Sequence, residues 1–189
     1  SRINTAMSAQ MGNYYQGGLA VQSGDTAYYG FRDDRKADSG ECYGLIARKT
    51  DGSTKTVFTS NRAPDSLYLS EDGAFYFLCW EKLLRYDPAA DKLEEVYAAK
   101  GKIDSFQIYD GRLYVLENYS GDSNYSDQWR YRFGCVENGQ FRSLMDGITF
   151  NQVINMDRFH IFNNKAYFLF GDSTEPSSSG SGYVFYNYA

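Results

Sequence analysis

Few residues in this chain have the type and spacing that chemistry demands. His160 is the one histidine. It alternates with Phe159 and Ile161, so it belongs to one face of a strand. A nucleophilic triad needs a base, a nucleophile and an orienting acid brought together, and a lone histidine outside any motif reads as a structural or surface residue. A single histidine also excludes a histidine-rich metal site. Paired carboxylates across a cleft can hydrolyse a glycosidic bond, provided the acid of the pair sits in a partly apolar pocket. Glu117 ends a strand beside Asn118 and Tyr119, and Glu81 follows Trp80. Both read as rim positions, and a polar strand end accounts for each equally well. Asp122, Asn124 and Ser126 place oxygen ligands at alternate positions, as calcium loops do. However, the sixth position is Asp127 where a glycine is required, and no bidentate glutamate follows at the right distance. That segment reads as a solvated loop. Asp33, Asp34, Asp38 and Glu41 are interleaved with Arg32, Arg35 and Lys36, so their charges largely cancel, again as in a solvated loop.

The aromatic residues are more suggestive. Tyr119, Tyr125, Trp129 and Tyr131 gather in and just after a polar stretch at 118–128. Flat rings with polar tips stack on sugars or anchor protein partners, and Tyr and Trp are enriched at interfaces. The competing reading is that they pack a sheet edge in a chain with 18 tyrosines. Asn118-Tyr119-Ser120 and Asn124-Tyr125-Ser126 are also glycosylation sequons, which matter only in a eukaryotic secretory host. Ser70 to Phe75 superficially matches the Asp-box of sialidases, but Asp72 and Gly73 are adjacent where that motif separates them, and adjacency is what a hairpin turn requires.

The elements that position these residues read as strands. Residues 66–80 form a hairpin pattern: Leu67 and Leu69 alternate with Tyr68 and Ser70, Asp72-Gly73 turns the chain, and an apolar aromatic run follows. β-Branched and aromatic residues suit a pleated surface, and Asp-Gly accepts the positive φ of a tight turn. The pattern recurs. Gly24, Gly73, Gly111 and Asn164 mark equivalent turns, separated by 49, 38 and 53 residues. That period matches four-stranded propeller blades, of about 40–50 residues each. The expected fold is all-β: a single β-propeller-like domain over 1–189 made of four-stranded antiparallel sheets, with units near 14–60, 61–99, 100–146 and 147–189. The longer units carry their extra residues between the second and third strands (32–41, 118–128, 172–182), which places these inserts on one face, often the binding side. The fourth unit lacks a last strand, and an edge left open invites pairing. Residues 2–7 are expected to close the ring beside 183–188, or else the chain is a piece of a larger propeller.

Composition narrows the function. The net charge is -5 with no basic run, which argues against nucleic acid, whose affinity comes from Lys and Arg displacing counterions. No run approaches the ~20 apolar residues that span a bilayer. The opening residues show no secretory signal and no starting Met, as expected of a mature or trimmed chain. Cys42, Cys79 and Cys135 are odd in number and far apart, forming neither a disulfide framework nor a zinc knuckle; Cys79 and Cys135 sit in apolar strands, where buried thiols are ordinary. A single disulfide among the three stays open.

Gly17-Gly18, Gly24-Asp25, Tyr28-Tyr29 and Asp51-Gly52-Ser53 resemble the turn pattern of an uncharacterised bacterial family of propeller-like domains, related to receptor-type propellers with Tyr-Trp-Thr-Asp repeats. The resemblance covers 12–59, about a quarter of the chain, and is loose beyond it. It implies a bacterial cell-surface or secreted protein with no assigned activity, and it supplies no catalytic residues. The expectation is therefore a non-catalytic binding module without a cofactor, holding a glycan or protein on its long-loop face through Tyr119, Tyr125, Trp129 and Tyr131. The alternatives are a carbohydrate-active hydrolase and a structural spacer in a larger surface protein.

Overall fold

A computed structural model describes residues 20–118, 129–150 and 154–172. Among these, fourteen strands and a single short 3-10 helix are laid out as successive antiparallel meanders. The chain divides into two compact units at the Val96–Tyr97 boundary. No helix of the described residues is long and apolar enough to cross a membrane.

The first unit holds two sheets. β1 (Ala20–Ser23), β2 (Thr26–Arg32), β3 (Tyr43–Lys49) and β4 (Thr54–Ser60) form one, in that order. β5 (Asp65–Leu69), β6 (Phe75–Cys79), β7 (Lys82–Asp87) and β8 (Lys92–Ala98) form the other, with Tyr97 and Ala98 already belonging to the second unit. The turns use residues that tolerate a left-handed backbone: Gly24 at φ 59° and Gly73 at φ 84°. At the second of these, Asp72 accepts the Ala74 amide at 3.1 Å and pairs with Arg85 at 2.7 Å, so Asp72-Gly73 is a hairpin turn. The core lies between the sheets. Tyr28, Leu45, Phe75, Phe77, Cys79, Leu84 and Tyr86 are all buried there. Tyr28 and Phe75 meet at a tilt of 48° with ring centroids 4.8 Å apart, and Phe58 meets Phe77 edge-on at 5.3 Å. Such pairs add to the area each ring removes from water. Lys55 and Asp91 pair at the rim of the same unit, and the Tyr86 hydroxyl donates to Asp91 at 2.7 Å.

The second unit holds β9 (Lys102–Tyr109), β10 (Arg112–Asn118), β11 (Trp129–Glu137) and β12 (Gln140–Phe150) in one sheet, and β13 (Ile154–Phe162) paired with β14 (Lys165–Asp172) in another. Its core is built from Leu116, Tyr131, Phe133, Phe159, Ile161 and Phe168. Gln107 ties the two sheets together: its carbonyl accepts the Ile161 amide at 2.7 Å and its amide donates to the Ile161 carbonyl at 3.3 Å.

The four-stranded repeat is present as the turn spacing predicts. Two local differences have physical causes. Residues 152–154 and 158–162 read as separate pieces in the sequence, whereas β13 runs continuously from Ile154 through a register shift between Met156 and Arg158. A bulge there absorbs one residue between Met156 and Arg158 and keeps the strand continuous. The charged segment after β2 is a connection as expected, but Asp34–Ser39 winds into the 3-10 helix. The expected strands at 2–7 and 183–188 lie outside the described residues.

Candidate functional site

Antiparallel pairing gathers one end of the first unit. Arg32 pairs with Tyr43, Tyr43 with Ser60, Asp65 with Leu78, and Cys79 with Lys82. The insert 33–42, the connection 61–64 and the two-residue turn Trp80-Glu81 therefore emerge at the same end. Among the described residues this is the end that carries the long insert of the first unit.

Trp80 is the unusual residue here. It occupies the first position of a two-residue hairpin loop at φ 56°. Elsewhere in the chain, tight hairpins put Gly24, Asp110-Gly111, Asn138-Gly139 or Asn163-Asn164 in the left-handed region. Those residues tolerate it, while a bulky side chain there is strained by about 1–3 kcal/mol. Trp80 is also 44% exposed, so a large part of this strained residue still faces solvent. Arg62 lies over it, its guanidinium carbon 4.4 Å from the ring centroid. The main chain of Arg62 is pinned on both sides: its amide donates to Ser60 Oγ at 3.1 Å, and its carbonyl accepts from Cys79 Sγ at 3.7 Å. Ser60 Oγ and Cys79 Sγ are themselves 3.3 Å apart. Burial raises the Cys79 thiol pKa, and the Glu81 charge adds to the effect against the Ser60 hydrogen bond. The thiol therefore stays protonated and serves as a donor, not a nucleophile.

A second cation–aromatic pair shares this end. The Arg32 guanidinium lies 5.5 Å from the Tyr43 ring and pairs with Asp34 at 2.5 Å. In the insert, Asp33 holds Arg35 at 2.8 Å, and that hydrogen bond keeps the Asp33 carboxyl below its usual pKa. Glu41 accepts from Thr59 Oγ1 at 3.3 Å. The end thus presents two arginine-backed aromatic rings among compensated charges.

The residues singled out from the sequence fall elsewhere. Tyr119 and Tyr125 lie outside the described residues. Trp129 begins β11. Tyr131 is fully buried in the core of the second unit, so its ring contributes to packing and faces no solvent. Glu117, expected at a rim, is also fully buried: the Tyr97 hydroxyl donates to one oxygen and Arg132 Nε to the other. Burial lowers the Arg132 pKa, but the bond and charge of Glu117 outweigh it and the net shift is upward. Glu117 is thus a carboxylate closed off from solvent and held by Arg132 and Tyr97, not a rim residue. Burial, with Glu117 as acceptor, also raises the Tyr97 pKa. Glu81 sits half-buried in the turn beside Trp80. His160 is exposed on β13 opposite Tyr167. The three cysteines are unbridged and buried. Sequence reading passed over Arg62 entirely. The signal available was Trp80 in a place where every comparable turn carries Gly, Asn or Asp.

No protein-family model and no curated protein matches this chain. Solved structures do. One is a chain of the S. cerevisiae assembly of Dbp5 bound to Nup159, Gle1, IP6 and ADP (TM-score 0.51, 13% identity, 88% of this chain and 42% of that one). Another is the extracellular domain of the putative one-component system BT4673 from B. thetaiotaomicron (TM-score 0.50, 12% identity, 89% and 22%). A third is the tricorn protease (TM-score 0.50, 11% identity, 88% and 16%). This chain spans less than half the length of each. At these identities the likeness is one of fold alone: all-β, with propeller-like repeats of antiparallel sheets.

Proposed function

We propose that this chain is a non-catalytic binding module that holds a glycan or protein partner on the loop-bearing end of its first unit. The observation that carries the reading is Trp80, kept exposed in a strained turn with Arg62 fixed over its ring. Backbone strain persists where function requires it, and Trp, Tyr and Arg dominate binding hot spots. The same place in the third sheet, between β10 and β11, is occupied by the stretch holding Tyr119 and Tyr125, with Trp129 at its end. Taken on the second unit by itself, we assign Tyr119, Tyr125 and Trp129 as a separate set of contacts. An extracellular or cell-surface location follows the resemblance of 12–59 to bacterial surface domains, with 1–189 acting as one propeller-like domain or as a piece of a larger chain.

The test is a pair of arrays, one of glycans and one of peptides, probed with the intact chain and with Trp80→Asn. Asparagine accepts the left-handed backbone, so the turn is kept while the ring is lost. Ligands retained by the chain and lost by the variant support the reading. Identical patterns from both proteins overturn this end as the binding surface.

A further inference from the structure

Arg62 forms no ion pair among the described residues; its guanidinium meets only the Trp80 ring. Arg32, Arg35, Arg85, Arg132 and Arg142 all have carboxylate partners. The side chain of Arg62 is exposed while its main chain is anchored by Ser60 and Cys79. A guanidinium held over one face of an exposed indole is pre-organised for one kind of ligand. A carboxylate accepts two parallel N–H bonds from a guanidinium, and the apolar face of a ring packs on the uncovered part of an indole. Extending the binding reading above, on which it rests, we infer that the Arg62–Trp80 pair is a subsite for a carboxylate-bearing sugar: a uronic acid unit whose carboxylate meets Arg62 and whose ring lies on Trp80.

The charges around the pair limit the ligand further. Glu41 and Glu81 emerge at the same end, and the chain as a whole carries a net charge of -5. A densely charged polyanion such as a sulfated or phosphorylated polymer is repelled by that field. One carboxylate at a time, set on a ring whose other groups are neutral hydroxyls, is not. Arg62 is better suited than a lysine to this task because its planar guanidinium presents its donors in a fixed fork that matches a carboxylate.

Isothermal titration with trigalacturonic acid, its methyl ester and neutral galactotriose tests the assignment, with an acetylated Glu-containing pentapeptide as a fourth probe. The chain is expected to bind the acid, and to bind the ester and the neutral sugar about 10- to 100-fold more weakly, the loss of charge-assisted hydrogen bonds. Arg62→Ala should weaken the acid to the level of the ester, Arg62→Lys should recover part of the affinity, and Trp80→Asn should abolish binding of all three sugars. Circular dichroism of each variant establishes that it is folded. Equal affinity for acid and neutral sugar, both lost in Trp80→Asn, overturns the uronate subsite and leaves the binding surface standing. Binding of the peptide but not the sugars does the same, with a protein as the partner. No binding of trigalacturonic acid at millimolar concentration overturns the inference, while the arrays decide the broader reading separately.

Discussion

Glu117 and Arg132 are direct cross-strand partners between β10 and β11, and their side chains close on each other with the carboxylate wholly removed from solvent. The Arg132 guanidinium also lies 4.1 Å from the Phe141 ring, and the Tyr97 hydroxyl donates to the same carboxylate. Side-chain exposure is unequal, 21% for Arg132 and none for Glu117. This inequality predicts an asymmetry. Arg132→Met strands a buried anion and should cost about 3–5 kcal/mol. Glu117→Gln leaves a cation that can still reach water and keeps an acceptor for Tyr97, so it should cost less. Urea unfolding of the two single variants and the double variant measures both the order and the coupling. Equal losses would contradict the burial argument.

Trp80 should matter more to binding than to stability. Trp80→Asn gives up a half-buried ring, worth about 2–3 kcal/mol, and a cation–π contact of about 0.5–1 kcal/mol at an exposed site, against which it relieves about 1–3 kcal/mol of backbone strain. The melting temperature is expected to change by only a few degrees in either direction, while ligand retention is lost. A collapse in melting temperature would make Trp80 a structural residue.

Acid should destabilise the first unit in a defined window. The Arg85 hydrogen bond, assisted by the Ala74 amide, holds the Asp72 carboxyl below its usual pKa. Lys55, then Tyr86, does so for Asp91. A carboxylate whose folded-state pKa is depressed contributes stability above its unfolded value, about 3.9, and loses it as pH falls through the folded value. The melting temperature should therefore hold between pH 7 and 5 and decline below about 4. Asp72→Asn should lower it at pH 7 and flatten the decline. An unchanged slope in that variant would remove Asp72 from the account.

Gly44 and Gly134 should resist even a methyl group. A Cβ on Gly44 would stand 2.1 Å from the Phe58 carbonyl oxygen and 2.7 Å from the Phe31 ring; on Gly134, 2.3 Å from the Arg142 carbonyl oxygen and 2.6 Å from the Phe141 ring. The nearest atom in each case belongs to the neighbouring strand's backbone, which cannot swing aside as a side chain does. Gly44→Ala and Gly134→Ala should each lose about 1–3 kcal/mol or more in chemical denaturation, whereas Gly24→Ala, which meets no atom within 4 Å, should pay only for its positive φ.

Strands, their turns and the repeat were legible in the sequence, because those signals are local. Asp72-Gly73 and Asn138-Gly139 state their turns in adjacent residues, and alternation such as that of 66–70 is readable without a partner strand. The sequence also placed the long insert of the first unit between the second and third strands of its sheet. Relations across strands were set by packing and register. Glu117 followed by Asn118 looks like a wet strand end; the register that sets it opposite Arg132, and the arrival of Tyr97, make it dry. Tyr131 sits two residues from Trp129 in an aromatic stretch that reads as a surface, yet its ring fills a core whose other walls come from β10, β13 and β14. Arg62 gives no signal in its own neighbourhood. It meets Trp80 because β4 and β6 end side by side and Ser60 touches Cys79. Pairing and packing between distant residues carry no local signature, so the Arg62–Trp80 pair became visible only once the sheets were formed.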